Sequence, residues 1–152
     1  MRSGHDESTG SHGGKASEGL RSENRRRIRV GVDMVGVDRV SRLLEENAAV
    51  MDTLFTPREQ SYCSSRRRRR LEHLAAHFAA KEAVLKAFGT GLGQRMRWTD
   101  VEIVNEINGR PTVRLHGEVA AFAERRRLAD VDVSLAHSGG VAMAHAVTVW
   151  DQ

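Results

Sequence analysis

The sequence predicts an α+β fold in which a small, largely antiparallel sheet is packed with helices. Three observations carry that expectation. Apolar residues alternate with period two near residue 30 and again near the C-terminal end, as in strands with one covered face. From Leu71 to Phe88 they recur at three- and four-residue steps, which marks a helix. Asn108-Gly109 separates two strand-like runs, which marks a hairpin. The predicted order is β-α-α-α-β-β-α-β-β.

Between residues 2 and 23, Leu20 is the one large apolar side chain. Such a segment buries too little surface to offset its ordering entropy. Residues 1–27 are therefore expected to be a flexible tail and residues 28–152 one domain. No apolar run follows the basic residues of the tail, so it does not read as a secretory signal. His5 and His12 are too sparse for a metal-binding tract.

In "RIRVGVDMV" (Arg27 to Val35), Ile28, Val30, Val32 and Met34 are expected to face the core. Arg29, Gly31, Asp33 and Val35 then share the other face, with Asp33 beside a glycine that leaves open space. Val37 to Asn47 reads as a helix. Thr56, Pro57 and Glu59 supply a cap, a first-turn proline and a capping-box acid. Arg66 to Arg70 lead into the helix Leu71 to Phe88. Trp98–Val104 and Pro111–Gly117 flank the hairpin turn, and Glu118–Leu128 reads as a short amphipathic helix. Val131–His137 and Val141–Trp150 form a last hairpin around Ser138-Gly139-Gly140.

Composition narrows the function. A net charge of +4 and a pI near 10.0 imply an anionic partner or substrate. No apolar run approaches the ~20 residues of a membrane span. The single cysteine, Cys63, rules out an internal disulfide framework and fits a reducing cytoplasm. Its polar surroundings offer no base to make it a nucleophile. Arg66–Arg70 and Arg125–Arg127 suit phosphate contacts, but aromatics do not interleave with them. They read better as a solvated or docking face, and no nucleic-acid partner is expected.

The chemistry points to "FAAKEAVLKAFGTG" (Phe78 to Gly91). On a helical wheel Leu71, Ala75, Phe78 and Leu85 align, and Glu82 falls near the centre of their stripe. A buried carboxylate there must be paired, protonated or metal-bound. Lys86, one turn on, suits a structural Glu82–Lys86 pair. Glycines in Gly89-Thr90-Gly91 allow backbone N–H groups to approach phosphate, though glycine also ends helices for steric reasons alone. Asp33 is a second acid, and two carboxylates with substrate phosphates are a common way to hold Mg²⁺. His137 is a third polar group at an element end, where a lone histidine is as readily structural.

Four blocks in order, "GVDMVGVDRV", "FAAKEAVLKAFGTGLG", "WTDVEIVNEINGRPTVRLHG" and "VDVSLAHSGGVAMAHAVTV", resemble the holo-acyl-carrier-protein synthase family. These are short, trimeric 4′-phosphopantetheinyl transferases, and the resemblance covers about residues 28 to 150. It implies the 4′-phosphopantetheinyl transferase-like fold and a homotrimer with active sites between subunits. It implies transfer of phosphopantetheine from coenzyme A to a serine of an acidic apo-acyl carrier protein, releasing adenosine 3′,5′-bisphosphate. By the same resemblance Asp33 and Glu82 hold Mg²⁺. Lys86 and Gly89-Thr90-Gly91 line the pyrophosphate site, His137 lies at the coenzyme A cleft, and Arg39 faces the carrier. Glu82 through a water is the first choice of base for the serine, and Asp33 the second. The carrier is of fatty-acid, polyketide or peptide synthesis. The chain departs from the family at His77, where arginine is common, and at Gly36, where an acid is frequent. It also lacks a basic residue before Phe55-Thr56, and Ala136 and Ser138 flank His137 in place of a hydroxyl residue and an acid. The departures around His77 and His137 raise the alternative of a catalytically weak member acting as scaffold or regulator.

Overall fold

Residues 25–152 are described in the computed structural model. The expected tail lies outside them except for Arg25, Arg26 and Arg27, and the last two are already in the first strand. The strands are β1 (Arg26–Gly36), β2 (Val101–Asn105), β3 (Pro111–Leu115), β4 (Leu128–Ser138) and β5 (Val141–Asp151). The helices are α1 (Val37–Glu46), α2 (Ala49–Leu54), α3 (Pro57–Ser65), α4 (Arg70–Phe88) and α5 (Gly117–Arg125). Helix α2 is the one helix the sequence reading did not include. It is six residues long, too short to show a period, and Asn47 Oδ1 accepts from the Ala49 N–H at 2.9 Å where it starts. The expected capping box of α3 forms: Thr56 N–H donates to Glu59 Oε2 at 2.9 Å, and Glu59 N–H donates to Thr56 Oγ1 at 3.3 Å.

One sheet has the order β1-β5-β4 and the other is the hairpin β2-β3, with every pairing antiparallel. Helix α4 lies across β1 and β5, with α1, α3 and β2 around its other sides. It is therefore buried on nearly every side. Ala75, Ala79, Ala80 and Ala83 have no accessible surface. Small side chains allow this close approach on several sides at once. None of the described helices is long and apolar enough to cross a membrane.

The faces of β1 are the reverse of the expectation. Gly31 and Val35 are buried beneath α4, whereas Ile28, Val30, Val32 and Met34 are 51–67% exposed. Alternation fixes which residues share a face, not which face a helix covers. Glycine decides it here. A Cβ at Gly31 would collide with the Ala83 carbonyl oxygen and lie 2.7 Å from Ala87 N. The space beside Gly31 is thus filled by α4 backbone rather than open. Gly31→Ala is expected to force β1 off α4 and cost about 3 kcal/mol as overpacking, read as a lower urea midpoint.

Candidate active site

From Leu74 to Phe88, Glu82 and Lys86 are the only residues of α4 that are not buried. They lie one turn apart and so mark one strip along the helix. The expectation that Glu82 sits in an apolar stripe is corrected. A helix covered all round has no single stripe, and Glu82 stands half-buried in the one gap of its coat. The motif's fully buried charge is its neighbour Lys81.

Lys81 Nζ donates to Glu59 Oε2 at 2.8 Å, Val101 O at 2.6 Å and Trp98 O at 3.0 Å. Three acceptors match the three protons of an ammonium, and the charge of Glu59 opposes the burial that pushes the Lys81 group below its ordinary value. Ile103 N–H donates to Glu59 Oε1 at 3.1 Å. Burial pushes the Glu59 carboxyl up, but the His77 ring, with Nδ1 at 3.5 Å from Oε1, and the charge of Lys81 outweigh it and hold it below its ordinary value. A carboxyl held low when folded adds stability above its unfolded pKa and loses it as the folded form protonates. The urea midpoint is therefore expected to fall as pH drops below about 4.5. Glu59→Gln is expected to flatten that acid limb.

Asp33 points from the covered face of β1 toward α4. Lys86 Nζ donates to Asp33 Oδ1 at 2.8 Å and to Val32 O at 3.0 Å. Lys86 thus pairs with Asp33 rather than with Glu82, its expected i,i+4 partner. That hydrogen bond raises the Lys86 ammonium above its ordinary value. Burial and then the charge of Asp33 push the Glu82 carboxyl up, while Lys86 and Arg39 of α1 pull it back. Two carboxylates therefore share one opening, flanked by two cations. Their donors are all oxygen, which suits a hard cation such as Mg²⁺ that keeps several waters. Among the described residues no group of three or more His, Cys, Asp or Glu is placed to hold a metal ion. A cation here would complete its shell from water or substrate.

Helix α4 ends beside this opening. Gly89 is left-handed at φ 76°, and its N–H is engaged by Leu85 O at 3.1 Å and Lys86 O at 3.0 Å. The steric reason for this glycine is therefore met by capping alone. Thr90 Oγ1 donates to Gly91 O at 2.8 Å, and Gly89, Thr90 and Gly91 are all exposed. Arg29 Nη1 donates to Phe88 O at 3.2 Å and places a further cation at this end. Sequence reading had put Arg29 on the same face as Asp33 but gave it no role.

His137 does not join this group within one chain. Its Nδ1 is 3.6 Å from Glu72 Oε2 in the first turn of α4. Glu72 stands ten residues before Glu82, about 15 Å along the axis. His77 is 1% exposed, stacks on Tyr62 and has Nε2 at 3.0 Å from Asn105 Oδ1. It offers a phosphate no surface, so its difference from the family's usual arginine is a matter of core packing. Gly36 is the N-cap of α1, with nothing within 4 Å of where a Cβ would stand.

Sequence reasoning missed Glu59 and Lys81 as a pair. Glu59 was visible as a capping-box acid and Lys81 as a charge inside a helical motif. Their partnership spans 22 residues and crosses elements, so no local period reveals it.

The chain matches the 4′-phosphopantetheinyl transferase superfamily over residues 29–145. It is 45% identical over 118 residues to the holo-[acyl-carrier-protein] synthase of Geobacter sulfurreducens, covering 77% of this chain and 93% of that one. Among solved structures it resembles the Chronobacterium ammoniagenes ACPS-CoA complex, with TM-score 0.73, 28% identity, and coverage of 83% of this chain and 99% of that one. It also resembles the acyl carrier protein synthase of Mycobacterium tuberculosis, with TM-score 0.62, 37% identity, and coverage of 79% and 95%. With the family matched over most of its length and the relatives' fold reproduced, the chain belongs to the holo-[acyl-carrier-protein] synthase family of 4′-phosphopantetheinyl transferases.

Proposed function

We propose that the chain transfers 4′-phosphopantetheine from coenzyme A to a serine of an acidic apo-acyl carrier protein. In this reading Asp33 and Glu82 hold Mg²⁺, and a homotrimer has its sites between copies. One observation carries it: the only opening along the buried length of α4 exposes Glu82 and Lys86, opposite Asp33. The relative from Chronobacterium ammoniagenes, in complex with CoA, supports coenzyme A as the donor.

The serine oxygen forms a bond to the β-phosphorus of coenzyme A, and the bond from that phosphorus to the bridging oxygen breaks. Adenosine 3′,5′-bisphosphate leaves, and the serine proton passes to Glu82 through a water, with Asp33 as the second choice of base. Such transfer depends on positioning and charge neutralisation. Lys86 and the turn Gly89-Thr90-Gly91 orient the pyrophosphate, and Lys86 offsets charge on the leaving phosphate. Mg²⁺ held by the two carboxylates would neutralise pyrophosphate oxygens. Arg39, exposed on α1, faces the acidic carrier, so association should weaken with salt.

A trimer accounts for two features at once. It would cover the exposed apolar row of β1. It would also allow His137 of one copy to approach the Glu82 end of another. We place the activity in the cytoplasm, consistent with one buried, free cysteine.

The test is a panel of apo-carriers from fatty-acid, polyketide and peptide synthesis, incubated with the protein, coenzyme A and Mg²⁺. At least one carrier should gain the mass of a single phosphopantetheine. Unmodified carriers throughout, under conditions where a known transferase modifies them, would leave a scaffold role instead.

A further inference from the structure

We propose that Lys81 is a positioning residue: its ion pair with Glu59 sets the rotation of α4 and so aims Glu82 and Lys86 at Asp33. The proposal deepens the reading above and rests on it for the role of Glu82. Successive residues of a helix point about 100° apart. Lys81 therefore points into the layer formed by α3 and β2, while Glu82 next to it points out through the gap. Lys81 is 0% exposed and cannot itself touch a ligand.

Leu74, Phe78, Leu85 and Phe88 bias this rotation by packing, but the alanines between them leave it loosely specified on the side of α3 and β2. The buried part of α4 contains the adjacent pairs Ala75-Ala76 and Ala79-Ala80, with Ala83 and Ala87 beyond. Turning the helix by one residue exchanges alanine for alanine within the pairs Ala75-Ala76 and Ala79-Ala80, so the alanine face does not itself choose the rotation. A directional anchor is more selective, because three ammonium protons must meet three fixed acceptors. Those acceptors come from α3, from the turn at Trp98 and from β2. Glu59 is itself held by the N–H groups of Thr56 and Ile103. A buried charge pair that specifies register rather than adding net stability is a known use of such pairs. On the opposite side Gly31 seats β1 on Ala83 and Ala87, so α4 is fixed from both flanks.

The test compares the full chain with Lys81→Met and with the double variant Glu59→Gln/Lys81→Met. The single variant leaves an unpaired buried carboxylate and is expected to lower the urea midpoint. The double variant removes both charges and is expected to recover most of it. If Lys81 positions the site, the recovered double variant still binds Mn²⁺ at least tenfold more weakly. It also transfers at least tenfold more slowly, with an unchanged KM for the carrier. Normal Mn²⁺ affinity and kcat in the double variant would overturn the proposal. A readout without metal separates this claim from the reading of the site. The thiol of Glu82→Cys should be labelled readily with Lys81 present and at least several-fold more slowly in the double-variant background, with buried Cys63 as the protected reference. Equal labelling overturns the positioning role. Slowed labelling together with no Mn²⁺ binding by the unmodified chain would uphold it and remove the cation site alone.

Discussion

Asp33→Ala and Glu82→Ala are each expected to reduce transfer by roughly a thousandfold or more. That corresponds to about 4 kcal/mol of lost charge stabilisation in the transition state. The reason is local. Burial and the charge of Asp33 both work against the ionised Glu82 carboxylate, so the site is under electrostatic tension that a divalent cation would relieve. Removing either acid removes half of that attraction. Asp33→Ala also frees Lys86, which now donates to Asp33 Oδ1 at 2.8 Å. The freed ammonium can still meet phosphate, so Asp33→Ala is expected to retain coenzyme A binding better than transfer. Neither side chain belongs to the exposed β1 row, and both variants should keep the oligomer and the urea midpoint of the parent. Steady-state transfer beside size-exclusion chromatography checks both parts. Near-normal activity in either variant would show that the cation assignment is wrong.

Val32→Glu is expected to convert the proposed trimer to monomers and to abolish transfer with it. Val32 stands in the centre of the exposed row of β1, between Val30 and Met34, and pairs across to His145 of β5. Met143, 40% exposed on the same face, widens the apolar surface. A patch of this kind, bordered by charged residues, marks an association surface. Each copy of the variant would bring an unpaired carboxylate into the contact, at a cost of several kcal/mol per site. The monomer itself should fold, because among the described residues nothing packs on this face. Light scattering would read the mass directly. A variant that stays trimeric, or a parent that is monomeric, would remove the interfacial site from the account.

Much of this architecture is legible in the sequence because its signals are local. The capping box at Thr56 and Glu59, the Asn108-Gly109 turn and the alternation of β5 each involve residues within a few positions of one another. The covered face of β1 is not local. It depends on Gly31 meeting the backbone of a helix some 50 residues later, and alternation is silent about it. The helical wheel failed for a related reason. It treats a helix as having one buried side, whereas α4 is enclosed by a sheet, two helices and a hairpin strand. Within the candidate site Lys86 reaches Asp33, the charges of Asp33, Lys86 and Arg39 act on Glu82, and the turn Gly89-Thr90-Gly91 follows the end of the same helix. His137 lies at the far end of α4, beside Glu72, because a single chain supplies the two ends of the helix to different places.

The central claim is that the gap in the coat of α4 exists to hold a divalent cation between Asp33 and Glu82. Titration of Mn²⁺ into the full chain, followed by electron paramagnetic resonance with and without coenzyme A, addresses it without any dependence on turnover. The account predicts one bound ion per site in the parent, tightened by coenzyme A, and loss of that binding in both Asp33→Ala and Glu82→Ala. Unchanged Mn²⁺ binding in both variants would contradict it.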